Sequence, residues 1–171
     1  MADQLIEFKN LEAVLKEFAQ EFRETYRAEL VKHDRFTTPG PDNNDRLIDS
    51  VDANTVETMV QYRDNAYSVS INLKEYWKYV ENDTRPHWPP PDAILRWVTI
   101  KPVIPYPDKR GRLPSPRSLA FLIGRKISQV GTKGSHDFET SREAVLARFR
   151  TRIRVAMAAD VREYVRKVLA L

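Results

Sequence analysis

The chain has 171 residues, 42% of them hydrophobic and 30% charged, with a net charge of +4, which suffices for one packed domain and hardly for two. It contains no cysteine, which excludes a disulfide framework and a thiolate metal site and fits a reducing compartment. The opening Met-Ala-Asp-Gln-Leu-Ile-Glu carries acid where a signal peptide carries base, and no apolar run approaches the roughly 20 residues that span a bilayer, so an exported or membrane-embedded chain is not expected.

From about Gln4 to His33, Leu11, Leu15, Phe18, Phe22, Tyr26 and Leu30 recur at spacings of four and three, which predicts one long amphipathic helix. Thr37 to Asp45 concentrates turn formers around Pro-Gly and predicts an exposed loop. From Thr55 to Leu73 the period changes to two. Val56, Thr58, Val60 and Tyr62 fall on one face of a first strand, and Tyr67, Val69, Ile71 and Leu73 on one face of a second, with Asp64-Asn65 as the turn between them. A hairpin alone is marginally stable, so the N-terminal helix is its expected cover.

Lys74 to Glu81 reads as a short helix rich in aromatic residues, closed by Asn82-Asp83 and by the proline cluster from Pro86 to Pro91. A further helix is expected from Pro91 or Asp92 to Ile100, with proline tolerated in its first turn. Residues 102–116 carry five prolines and the basic cluster Lys109-Arg110-Gly111-Arg112, and read as an exposed arm. Ser115-Pro116 supplies an N-cap and a first-turn proline for a helix whose expected buried stripe is Leu119, Leu122, Ile123, Ile127 and Val130, with Gly131 as a left-handed cap. Gly124 inside this helix costs up to about 1 kcal/mol and points to close packing there. A last helix is expected from about Thr140 to Leu169. The fold class is therefore α+β: a small antiparallel hairpin on a long N-terminal helix, with further helices, in one domain whose residues 139–171 form a basic helical extension.

Charge is uneven along the chain. Up to Arg35 there are six basic and eight acidic side chains, whereas Glu139 to Leu171 holds seven arginines and one lysine against four acids. Opposite ends of opposite sign reflect two solvated helix faces, or surfaces of identical subunits that complement each other around a ring.

No catalytic motif is present. His33, His87 and His136 lack metal-ligand spacing, no serine falls in Gly-x-Ser-x-Gly, and Gly131-Thr132-Lys133-Gly134 lacks the spacing of a phosphate-binding loop. A hydrolase built on Glu75 or Glu81 has no supporting second carboxylate. No enzyme, cofactor or metal is expected. Lys109, Arg110 and Arg112, with Arg148, Arg150, Arg152 and Arg154, suit phosphate contact by charge. The spacing of two in the second group spreads those arginines around a helix instead of forming one stripe.

The order of short motifs carries a resemblance. A long helix and hairpin are followed by Tyr-Trp-Lys-Tyr-Val-Glu (76 to 81), Pro-Pro-Pro-Asp-Ala-Ile-Leu-Arg-Trp-Val (89 to 98), Lys-Pro-Val-Ile-Pro (101 to 105) and Leu-Ala-Phe-Leu-Ile-Gly-Arg-Lys-Ile (119 to 127) with Gly131-Thr132. Over residues 5 to 145 this resembles the neck, or tail-completion, proteins of tailed bacteriophages, and is most similar to the ring proteins of crAss-like phages. That family commonly follows Val-Glu with a Gly-Thr turn, replaced here by Asn82-Asp83-Thr84, which tolerate turn geometry. The resemblance implies a virion protein at the head-tail junction, assembled in the host cytoplasm as a homo-oligomeric ring. By analogy with a portal the ring has twelve subunits. Its implied partners are copies of itself, the portal, the adjacent neck or tail ring proteins and the genomic DNA in the channel, with no membrane. Trp88, Lys109, Arg110, Arg112, Arg148 and Arg152 are the candidate interface residues. The alternative is a small basic nucleic-acid-binding protein.

Overall fold

The computed structural model describes residues 8–32, 46–64, 66–100, 105–107 and 109–170. Among them the elements run α1 (Lys9–Lys32), α2 (Leu47–Asp52), α3 (Val56–Met59), β1 (Val60–Arg63), β2 (Ala66–Val69), α4 (Trp77–Glu81), α5 (Pro91–Ile100), α6 (Pro116–Val130) and α7 (Asp137–Leu169). The α+β class holds: long helices at both ends of the chain and one two-stranded antiparallel sheet. The expected loop over 37–45 lies outside the described residues.

The chain forms two compact units. The first is built from α1, residues 47–74 and α7. Its core is the stripe expected on α1: Phe22, Tyr26 and Leu30 are buried, joined by Val145 and Phe149 of α7 and by Leu47, Ile48 and Val51 of α2. Phe138 meets Phe22 and Tyr26 edge-on, with ring centroids 5.1 and 5.4 Å apart, and Phe149 meets Phe18 at 5.7 Å in the same manner. Edge-to-face pairs of this kind contribute beyond the area they bury. The C-terminal helix is thus the principal partner of α1.

The hairpin is shorter than expected. Val56–Met59 is a helical turn and not a strand, because Thr55 and Thr58 form a reciprocal capping box: Thr58 N donates to Thr55 Oγ1 at 3.3 Å and Thr55 N donates to Thr58 Oγ1 at 3.0 Å. The strands pair from Val60 opposite Val69 to Arg63 opposite Ala66, and Ser70 N extends the ladder to Met59 O at 2.9 Å. Asp64 turns the chain with a φ of 50°. Buried Asn54 ties the segment after β2 in place, accepting from Asn72 N at 2.8 Å and donating to Asn72 O at 2.8 Å.

The second unit contains Glu75–His136. Its centre is a clasp between the loops after α4 and α6. Thr84 and Thr132 form an antiparallel bridge, with Thr84 N donating to Thr132 O at 2.9 Å and Thr132 N to Thr84 Oγ1 at 3.0 Å. Gly131 has positive φ, as expected, but its ψ of −163° sends the chain out extended and not into a left-handed turn. A Cβ there would stand 1.9 Å from Thr84 O, and one on Gly134 would stand 2.1 Å from Glu81 O. Only glycine allows the two loops to close this far.

The expected stripe of α6 holds in part. Leu119, Ile123 and Ile127 are half-buried around buried Ala120 and Gly124, whereas Leu122 and Val130 are exposed. The lack of bulk at Gly124 lets α6 lie beside Trp88 and Pro89. Gly124 itself is not sterically required, since a Cβ would meet Pro89 Cγ at an ordinary 3.7 Å.

Candidate functional site

In the second unit, residues 86–91 hold four prolines around Trp88, and the fixed φ of each proline leaves this stretch little freedom. His87 Nδ1 lies 2.8 Å from Arg85 O, and α5 begins at Pro91. α6 starts just as definitely: Ser118 N donates to Ser115 Oγ at 3.2 Å, and Pro116 occupies the first turn. Between these fixed starts lies an apolar groove of about 300 Å³, with Trp88, Pro89, Ile94, Leu95 and Phe121 in its lining and Ala120 and Gly124 leaving space at its α6 wall. Trp88 and Phe121 are 51% and 57% exposed, with ring centroids 5.8 Å apart. Two charged residues line the groove, Asp92 on α5 and Arg117 on α6.

The six expected interface residues separate by unit. Trp88 is brought against Phe121 in the second unit. Lys109, Arg110 and Arg112 lie in the exposed stretch before α6, as expected for an arm. Arg148 and Arg152 belong to the first unit and serve α1: Arg148 pairs with Glu21 at 2.7 Å, and Arg152 pairs with Glu17 while lying over the Phe149 ring at 4.6 Å. The opposite charges of the chain's two ends thus meet within one molecule.

Three residues not singled out from the sequence join Trp88. Arg117, Phe121 and Arg125 are exposed at successive steps of four on α6, a spacing that places them on one helix face. The signal is present in Arg-Ser-Leu-Ala-Phe-Leu-Ile-Gly-Arg, but the neighbouring leucines and isoleucines draw attention to a different face.

Elsewhere in the second unit, Asp83 accepts from Gly134 N at 2.7 Å and stands 3.3 Å from His136 Nε2. The Gly134 N–H, and then His136, hold its carboxyl below the usual carboxylate range. This is a structural clamp on the clasp. In the first unit a hollow of about 310 Å³ is lined by Phe18, Phe22, Met59, Phe138 and Leu146, with Arg142 as its charged residue. Among the described residues no three His, Asp or Glu side chains cluster as a metal site would need, and no helix is long and apolar enough to cross a membrane. No family model, curated protein or solved structure matches the chain.

Proposed function

We propose that the chain is a structural assembly subunit without a reaction of its own, forming a ring in the head-to-tail connector of a tailed bacteriophage, between portal and tail and around the DNA channel. The connector identity rests on the motif resemblance over residues 5 to 145. The assembly reading rests on one observation, the exposed apolar stripe on the last turns of α7. Met157, Val161, Val165 and Val168 recur there at spacings of four, four and three, and are 50%, 38%, 46% and 45% exposed. α1 begins at Lys9, whose neighbours Asn10 and Leu11 meet Asp160, so Val161, Val165 and Val168 continue past the start of α1. Apolar surface at helical spacing gains about 25 cal/mol per Å² when another surface covers it.

Leu122 and Val130 on α6 provide a second exposed apolar surface. Two different surfaces on one chain suit heterologous contact between copies, the kind that closes into a ring. Native mass spectrometry or light scattering, on the protein alone and with the portal at low and moderate salt, tests the reading. A high-order ring, or a monomer that closes into a ring only on the portal, is expected, and Val161→Asp with Val165→Asp should abolish it while leaving the circular dichroism of the helices intact. A persistent monomer or dimer that ignores the portal and shifts with added nucleic acid would replace this reading with the small basic nucleic-acid-binding protein.

A further inference from the structure

The second unit carries an excess of positive charge. It contains twelve Lys and Arg against seven Asp and Glu, whereas the rest of the chain has sixteen against seventeen. The first unit pairs its charges: Lys16 with Glu12, Arg27 with Asp52, Arg148 with Glu21 and Arg152 with Glu17. In the second, Arg85, Arg96, Arg117, Arg125 and Lys126 form no ion pair with a carboxylate among the described residues, while Asp83 pairs with His136 and also feels the charge of Lys133. Unpaired surface cations grouped on one short unit attract an anionic partner.

Two of these cations select the kind of anion. Arg117 and Arg125 stand one turn before and one turn after Phe121 on the same exposed face of α6, and Phe121 lies against Trp88, so two half-exposed aromatic rings share this surface with two arginines. Exposed rings beside arginines suit stacking of nucleobases with phosphates held on either side. A duplex keeps its base faces inside its own stack, so open rings favour unpaired bases. Asp92 is the carboxylate in the groove, and it repels phosphate from the α5 wall toward the α6 arginines.

We propose that Trp88, Arg117, Phe121 and Arg125 form a binding site for a single-stranded segment of nucleic acid, with bases against the two rings and phosphates on the two arginines. The site is separate from the α7 stripe and does not depend on the ring reading. Fluorescence anisotropy with labelled oligothymidylate and with a duplex of equal length, over a range of potassium chloride concentrations, tests it. The single strand should bind more tightly than the duplex. Arg117→Gln and Arg125→Gln should each lower the slope of log Kd against log salt by about 1. Phe121→Ala should weaken binding by about 5- to 150-fold with the salt slope unchanged. Phe121→Leu, which keeps apolar bulk without a ring, should behave like the alanine variant, and an unchanged melting temperature shows that each variant is folded. Equal affinity for duplex, indifference to Phe121→Ala, or full competition by polyglutamate would overturn the site, the last outcome pointing to an acidic protein partner. Light scattering in the same buffer separates the two proposals, since loss of binding with the ring intact removes this one alone.

Discussion

The Asp160 carboxylate of α7 closes the N-terminus of α1 by accepting from Leu11 N at 2.8 Å, while its other oxygen accepts from Asn10 N at 3.0 Å and from Asn10 Nδ2 at 2.6 Å. A cap normally comes from the residue just before the helix, and here it comes from a helix 150 residues away. A carboxylate at this position also faces the positive end of the α1 dipole. Asp160→Ala is expected to cost about 1–2 kcal/mol, since it removes the cap and leaves the Asn10 and Leu11 N–H groups without it. Asp160→Asn keeps one acceptor and should recover part of the loss. Thermal melting reads both, and amide exchange at Leu11 should accelerate in each. Unchanged melting in Asp160→Ala would show that the cap contributes nothing.

Tyr67 donates to Glu12 Oε2 at 3.1 Å, and burial, followed by this contact, pushes its hydroxyl up to about 12 from the ordinary 10.0. Its contribution to stability is therefore complete below pH 10.0 and disappears as pH rises toward about 12. In a spectrophotometric tyrosinate titration one late-ionising group should vanish in Tyr67→Phe. Glu12→Gln should bring that group only part of the way back, because burial is the larger cause. Full normalisation in Glu12→Gln would reverse that order of causes.

The clasp of the second unit tolerates no side chain at two of its glycines. Gly131→Ala and Gly134→Ala should each cost about 1–3 kcal/mol, from backbone strain or overpacking against Thr84 O and Glu81 O. Gly131 should be the more sensitive, since its φ of 73° adds strain to the steric overlap. Chemical denaturation of the two variants checks this, and wild-type midpoints would contradict it.

Gly124→Ala should act in the opposite direction. The added Cβ finds ordinary contact with Pro89 Cγ at 3.7 Å, and alanine is favoured over glycine in a helix interior by about 1 kcal/mol. A melting temperature raised by a few degrees is expected, and a lowered one would mean that the groove beside Trp88 is less accommodating than its distances imply.

Helix boundaries were legible wherever local chemistry decides them. Ser115-Pro116 and Gly131 bracket α6, and the four-three spacing from Leu11 to Leu30 marks the buried face of α1. The first strand was misread because alternating Val56, Thr58 and Val60 satisfy a period of two, while the threonine capping box that winds Thr55 to Met59 into a turn competes locally and prevails. α2 escaped notice because Leu47, Ile48 and Val51 make too short a pattern to distinguish from a loop. Which charges pair was not legible at all. Arg148 and Arg152 were expected to face a partner, yet their distance from Glu21 and Glu17 along the chain conceals that α7 lies on α1. The α6 row was legible in spacing but hidden by its apolar neighbours, although Gly124 did mark the side on which α6 packs closely.

The pairing of α1 with α7 also fixes an order of events during synthesis. Glu75 to His136 is continuous in sequence and has its clasp residues available once Gly134 has left the ribosome. The first unit must wait for its last helix, and at about 5–20 residues per second that wait is on the order of ten seconds after α1 emerges. Throughout it, Phe18, Phe22 and Tyr26 lack Phe138 and Phe149, the rings they will pack against. A nascent chain paused before α7 therefore carries a finished second unit and an adhesive first helix, the stage at which chaperone capture or misassociation between neighbouring nascent chains is most to be expected.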